Sequence, residues 1–297
     1  MSEQTRAQEM TGPGLALGRA PQFRIGSEEH KRAFCRMLLD THDPYKPAVI
    51  DWPPLSPEAF GRLTGLPIWN IAVQIEGRAS IAVRTYGEAV ADPLLKEAIL
   101  MDGGEEARHK DVLSKMVGSY GIVLDPEPNY PPPSDPEWAF MTTGYAECLD
   151  SFFAFGLFAV ARSSGFFPEA LVETFEPVIQ EEARHILFFV NWLAWQRRQL
   201  SLPARVWFNL RCFACFLGRI KGRLDTARDV KGSQGDKKKD KNFTATTSKA
   251  FAGHLKVGDL LRLCLAENDR RMAKYDARLL RPTLVPTLVR LALKFVG

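Results

Sequence analysis

Apolar residues recur at spacings of three and four in long blocks, without the strict alternation that a half-buried strand shows. The pattern predicts an all-α chain. Ser27 is placed to cap a short helix over about 28–40. The proline-rich stretch from Asp43 to Pro67 reads as irregular structure with one helical turn. Four long helical blocks follow, over about 67–91, 93–119, 136–163 and 168–200. Asp92-Pro93 and Asp135-Pro136 each set an N-cap before a proline at the first helical position, a strong start signal. Ser163-Ser164-Gly165 breaks the third block, and residues 120–134, with Pro131, Pro132 and Pro133, join the second to the third. Pro203 opens an aromatic-rich helix to about Leu224. Residues 229–248, around Lys237-Lys238-Lys239, read as a solvated linker, and helices over about 249–276 and 283–296 close the chain. Three regions are expected: an arm with a short helix (1–66), a four-helix body (67–200) and a helical extension (201–297).

Within the body, Glu105-Glu106-Ala107-Arg108-His109 recurs unchanged as Glu181-Glu182-Ala183-Arg184-His185. Residues three apart on a helix share a face, so Glu106 with His109, and Glu182 with His185, can each present a carboxylate oxygen and an imidazole nitrogen to one point. That pairing of donors suits iron, manganese or zinc. Two such pairs suggest two metals, and a dinuclear site needs bridging carboxylates as well. Glu76 and Glu147 are lone acids in apolar stretches on the preceding helices. In an antiparallel hairpin, residues equidistant from the turn sit level. Glu76 lies 16 residues before Asp92 and Glu106 lies 14 after it; Glu147 lies 18 before Gly165 and Glu182 lies 17 after it. A helix of about 26 residues is about 40 Å long, and an extended 120–134 segment can run back along that length.

A Glu on each of two helices and a Glu-x-x-His on each of the other two resembles the ferritin-like di-iron carboxylate superfamily. The resemblance covers about 67–200. It implies a four-helix bundle with one long crossover, further helices being added at the C-terminus. Its metal ligands would fall on Glu76, Glu106 and His109 in the first hairpin and on Glu147, Glu182 and His185 in the second. These six would carry catalysis through two iron ions, with manganese or a mixed Mn/Fe pair as the other metal choices. A Tyr radical of the ribonucleotide reductase type is not expected, because the matching position is Leu113.

Other residues carry weaker readings. Asp150 is placed to accept from a ligating His as often as to stand exposed, and Phe155 and Phe158 could wall a substrate pocket beside the small residues near the ligands. Glu105 and Glu181 read as exposed salt-bridge partners, as in a Glu105–Arg108 pair; Glu181 to His185 would also allow a shifted ligand register. His30, His42 and His254 read as incidental, and Cys212-x-x-Cys215 as core packing.

The net charge of +4 conceals a split. Residues 1–196 carry 16 Lys+Arg and 27 Asp+Glu (16 − 27 = −11), and residues 197–297 carry 23 and 8 (23 − 8 = +15). The basic extension therefore needs its own partner: the body's acidic surface or a second subunit, an anionic membrane, a nucleic acid or an acidic carrier protein. The expected function is an O2-activating oxidase or monooxygenase acting on a small organic or lipid-like substrate. Electrons would come from an external reductase, since no flavin or nicotinamide fingerprint is present. The alternatives are iron storage or ferroxidase activity with a basic interaction tail, a hydroxylase for a nucleic-acid or carrier-bound substrate, and a bundle whose site holds no metal. A homodimer is expected. The five cysteines are scattered, and neither an apolar signal segment nor a run long enough to span a bilayer stands out, so the expected location is cytoplasmic, with peripheral membrane contact through the extension.

Overall fold

A computed structural model describes residues 23–66, 68–232 and 256–296, and the regular structure among them is helical throughout. The N-terminal part contains α1 (Glu28–Asp40), a 3-10 turn (Pro47–Val49) and α2 (Pro57–Thr64). The body contains α3 (Trp69–Ala89), α4 (Pro93–Ser119), α5 (Pro136–Ser164), α6 (Glu169–Glu173) and α7 (Glu176–Gln199). The extension contains α8 (Leu202–Gly232), α9 (Val257–Met272) and α10 (Leu284–Val296).

The start signals act as expected. Asp92 and Asp135 accept from the amides of Leu95 and Trp138, each at 2.9 Å, and Pro93 and Pro136 stand where an amide would lack a partner anyway. Gly165, with φ 63°, ends α5 in the left-handed region that a residue without Cβ adopts freely.

Residue pairing gives the directions of the helices. Between α3 and α4, Gly77 meets Lys110, Arg84 meets Gly103 and Gly87 meets Leu100, so one number falls as the other rises and the pair is antiparallel. Between α5 and α7, Glu137 meets Gln196, Gly144 meets Phe189 and Ser151 meets Glu182, again antiparallel. Between α4 and α7, Glu106 meets His185 and His109 meets Glu182, antiparallel once more. It follows that α4 and α5 point the same way, so the chain must travel back between them. It does so beside α3, where Asn70 meets Asp125, Gly77 meets Glu127 and Arg78 meets Tyr130.

Some boundaries differ from the expectation. The block at 168–200 is broken into α6 and α7, because Pro177 lacks the N–H that a continuous helix needs there. The stretch after Asp43 holds two helical turns or more, since Ser56 caps α2 through the Ala59 amide. α8 continues to Gly232, into the expected linker; the rest of that linker, residues 249–255 and His254 lie outside the described residues.

α1 packs against both α4 and α7, with Phe34 and Leu38 buried. α9 and α10 pack on α5 and α8 on both α5 and α7, and part of the basic extension meets the acidic body there. Arg211 pairs with Asp135 and Glu137 at 2.7 and 2.9 Å, and the buried Arg271 pairs with Glu176 at 3.0 Å. α5 is long and apolar enough to cross a membrane by length and composition, but half of that window is buried inside the protein, as expected of a core helix.

Candidate metal centre

The face of α4 that points into the body carries Asp102, Glu106 and His109, at helical spacings of four and three. Opposite it, α7 presents Glu182 and His185. α3 contributes Glu76. The structure brings these side chains into two groups whose potential ligand atoms lie within 4.8 Å of one another: Glu76, Glu106, His109 and Glu182, and Asp102, Glu106 and His185. Glu106 belongs to both.

The two motifs hold each other. His109 Nε2 lies 2.8 Å from Glu181 and His185 Nε2 lies 2.8 Å from Glu105, so each imidazole is fixed by the carboxylate of the opposite motif. Those carboxylates are buried and are neutralised across the same seam, Glu181 by Arg108 and Glu105 by Arg184. The segment after α1 closes the arrangement: His42 Nδ1 lies 2.5 Å from Glu105, and the Tyr45 hydroxyl donates to Glu181 at 3.3 Å. The Arg108 guanidinium lies over the Tyr45 ring at 4.1 Å.

With Nε2 donating to a carboxylate, a neutral imidazole keeps its lone pair on Nδ1. Both Nδ1 atoms point inward: His185 Nδ1 lies 2.8 Å from Glu106 and His109 Nδ1 lies 3.2 Å from Glu182. Neither these two nitrogens nor Glu106 Oε1 and Asp102 Oδ1 have a hydrogen-bond partner, although all four are buried. Four converging electron-pair donors without partners are what a cation would satisfy. Ser151 donates to Glu182 at 2.7 Å and fixes its other oxygen.

The charges agree. Once Glu105 and Glu181 are matched to Arg184 and Arg108, five carboxylates remain around the two imidazoles: Glu76, Asp102, Glu106, Glu147 and Glu182. Two divalent ions would take that −5 to −1. Without cations, protons must compensate. Burial, and then the charges of Glu182 and Glu76, push Glu106 well above the usual carboxylate range. Burial, with Glu106 and Asp102, does the same to Glu147. Burial alone would lower His185, but Asp102, Glu105 and Glu106 outweigh it and raise it.

Several expectations change. Glu105 and Glu181 are not exposed salt bridges; they are buried and hold the imidazoles. Glu147 stands outside both groups and acts on them through its charge, whereas Asp102, not expected, joins one of them. A carboxylate that was not expected, Asp102, also lies beside a ligand-type histidine, 3.6 Å from His185 Nε2. Phe155 is fully buried, and Arg271 lies over the rings of Phe155 and Phe158 at 5.4 and 5.5 Å, so these rings pack the body instead of walling an open pocket. His42 takes part in the site, and His30 is a buried partner of Asn191 at 2.9 Å. The signal that could have revealed the role of Glu105 and Glu181 was the Arg three residues after each, charge that a buried seam must match across helices.

Comparison with protein-family models, curated proteins and solved structures finds no match to this chain.

Proposed function

We propose that residues 67–200 form a ferritin-like di-iron carboxylate bundle, and that the chain is an O2-activating oxidase or monooxygenase for a small organic or lipid-like substrate. The observation that carries this reading is the convergence of two buried imidazole Nδ1 atoms and the carboxylates of Glu76, Glu106 and Glu182 on one region, with both Nε2 atoms already engaged. Glu76, Glu106, His109, Glu182 and His185 would hold the ions, with Asp102 and Glu147 beside the second. A bound pair of iron ions supplies reversible redox chemistry toward dioxygen.

The chain's own residues supply the setting. Glu105 and Glu181 fix which nitrogen of each imidazole faces inward. Arg184 and Arg108 pair with those two carboxylates, and in Glu105 the contact with His185 and the charge of Arg184 overcome the upward push of burial. Burial of Glu106, His109 and His185 keeps bulk water from the ligand atoms. An external reductase would supply electrons.

The test is metal analysis of the purified protein together with dioxygen uptake by the reduced form. About two iron ions per chain are expected, falling below one in Glu106→Ala and His185→Ala. A metal content below about one per chain that those substitutions leave unchanged overturns the reading. Ferroxidase or storage activity is the second reading, favoured by the packing of Phe155 and Phe158 against Arg271 where a pocket was expected. It predicts dioxygen uptake driven by added ferrous ion and unaffected by organic substrates.

A further inference from the structure

The metal centre leaves another feature unused. α8 turns Phe208, Cys212 and Cys215 into the main core. Its opposite face is apolar and open: Leu202, Val206, Trp207, Leu210, Phe213 and Leu217 are 46% to 73% exposed. α10 repeats the arrangement. Val285 and Val289 close onto Phe152 and Cys264, while Leu284, Leu288, Leu291 and Phe295 face outward, Phe295 being 87% exposed. Of the sixteen exposed large apolar residues among the described ones, ten lie in these two stripes. Isolated exposed apolar residues are ordinary on any surface; continuous stripes mark an interaction face. α8 meets α5 at Tyr145 through Phe216, and α10 meets it at Phe152, seven residues on and therefore on the same face of α5.

The sequence around the stripes has one sign of charge. No Asp or Glu occurs from Ala183 to Leu224 or from Ala277 to Gly297, and Arg198, Lys221, Arg290 and Lys294 are exposed there. We infer that this face docks on an anionic lipid surface, with the α8 and α10 stripes at the acyl boundary and the exposed cations among the headgroups.

The competing occupants fit less well. A nucleic acid needs cations turned toward its phosphates, but Arg205, Arg211 and Arg219 of α8 are engaged with the body. Arg211 binds Asp135 and Glu137, Arg205 binds the carbonyls of Arg197 and Leu200, and Arg219 binds the Thr142 carbonyl. The outward stripe of α8 from Leu202 to Leu217 is mainly hydrocarbon. A second copy of the chain would set two cationic stripes against each other, with no carboxylate between Leu202 and Leu224 or between Leu284 and Val296 to pair with them. A lipid surface satisfies the apolar and the cationic features together. The inference stands apart from the metal centre and is read on the protein with or without metal.

The test is co-flotation of the full chain with phosphatidylcholine vesicles, with and without phosphatidylglycerol. Binding to the anionic vesicles is expected, with neutral ones bound at least about tenfold more weakly. Two variants separate the stripes: Trp207→Ser with Phe213→Ser, and Leu288→Ser with Phe295→Ser. Each is expected to keep its helical circular dichroism and to lose at least about tenfold in partitioning. Absence of binding to anionic vesicles overturns the inference, as does equal binding by parent and both variants. So does a lipid-free dimer that the Trp207/Phe213 variant dissociates, or binding of single-stranded RNA, when it comes without flotation.

Discussion

Glu105 and His185 lie on different helices, in different copies of the same pentapeptide, and their contact at 2.8 Å fixes which imidazole nitrogen faces the carboxylate cluster. Glu181 and His109 repeat it at 2.8 Å in the other direction. The duplicated sequence thus acts as a reciprocal clamp, with each motif supplying a ligand-type Glu and His and also the group that orients the other motif's His. Glu105→Gln keeps the shape of the side chain and removes the charge that matches Arg184. Metal affinity is expected to fall by about 10- to 100-fold, the usual effect of losing an orienting partner of a ligating His. Glu181→Gln should match it, because the arrangement is two-fold. Competition against a chromophoric chelator measures both, and parental affinity in both variants would count against the clamp.

The two-fold relation fails at Asp102, as it does at Glu147. The offset of 76 residues that carries Glu106 to Glu182 carries Asp102 to Val178. Only one half of the centre therefore has the additional buried carboxylate. If the proposed centre holds two ions, they should bind unequally, and Asp102→Asn should weaken one step of a cobalt(II) titration while leaving the other near its parental position. Equal weakening of both steps would show that Asp102 acts on the cluster as a whole.

How far these features could be read from sequence follows from the range of the forces involved. Helix starts depend on local chemistry, so Asp92-Pro93 and Asp135-Pro136 were legible. The level placement of Glu76 with Glu106 was legible because a tight turn converts sequence distance into height. The break at Pro177 was also local, but the apolar period running through it masked it. Glu105 looked like a surface residue because its partners, His185 and Arg184, are about 80 residues away and lie on a helix whose azimuth only tertiary packing sets. His42 and Tyr45 were illegible for the same reason, since their segment has no regular period of its own. Arg271 gave no sign that its guanidinium would cover Phe155 and Phe158.

Asp92 joins local and tertiary signals. It caps α4 through the Leu95 amide and pairs with the buried Lys31 of α1. Burial pushes its carboxyl up, but Lys31 and the cap hold it below the usual range. Its contribution is therefore present above the unfolded pKa and lost as pH falls through the folded one. Lys31 is the opposite case. Burial lowers it, the contacts with Asp92 and Glu28 raise it, and its contribution is lost as pH rises through its folded pKa. Asp92→Asn keeps the cap and removes the pair, whereas Asp92→Ala removes both and should cost about 1 kcal/mol more at neutral pH. Urea unfolding should show the Asn variant converging on the parent in acid, below the folded pKa of Asp92. A gap that stays constant with pH would assign the loss to something other than the ion pair.

Gly156 sets how closely α9 approaches α5. A Cβ there would overlap Cys264 Sγ and come within 3.1 Å of the Cys264 amide nitrogen and 3.2 Å of its Cα. A side chain can turn aside, but helix backbone cannot, so Gly156→Ala must push α9 away and loosen the cluster of Phe152, Cys264, Val285 and Val289. Overpacking of this kind costs about 1–3 kcal/mol. Helix propensity works the other way, since Ala is favoured over Gly by about 0.5–1 kcal/mol in a helix interior. Gly218 in α8 isolates that second effect, because nothing lies within 4 Å of a Cβ built there. Gly218→Ala should therefore be neutral or stabilising and Gly156→Ala destabilising, with the sign of each read from urea midpoints at constant m-value. Equal behaviour of the two variants would mean that the approach of α9 to α5 is looser than the structure shows.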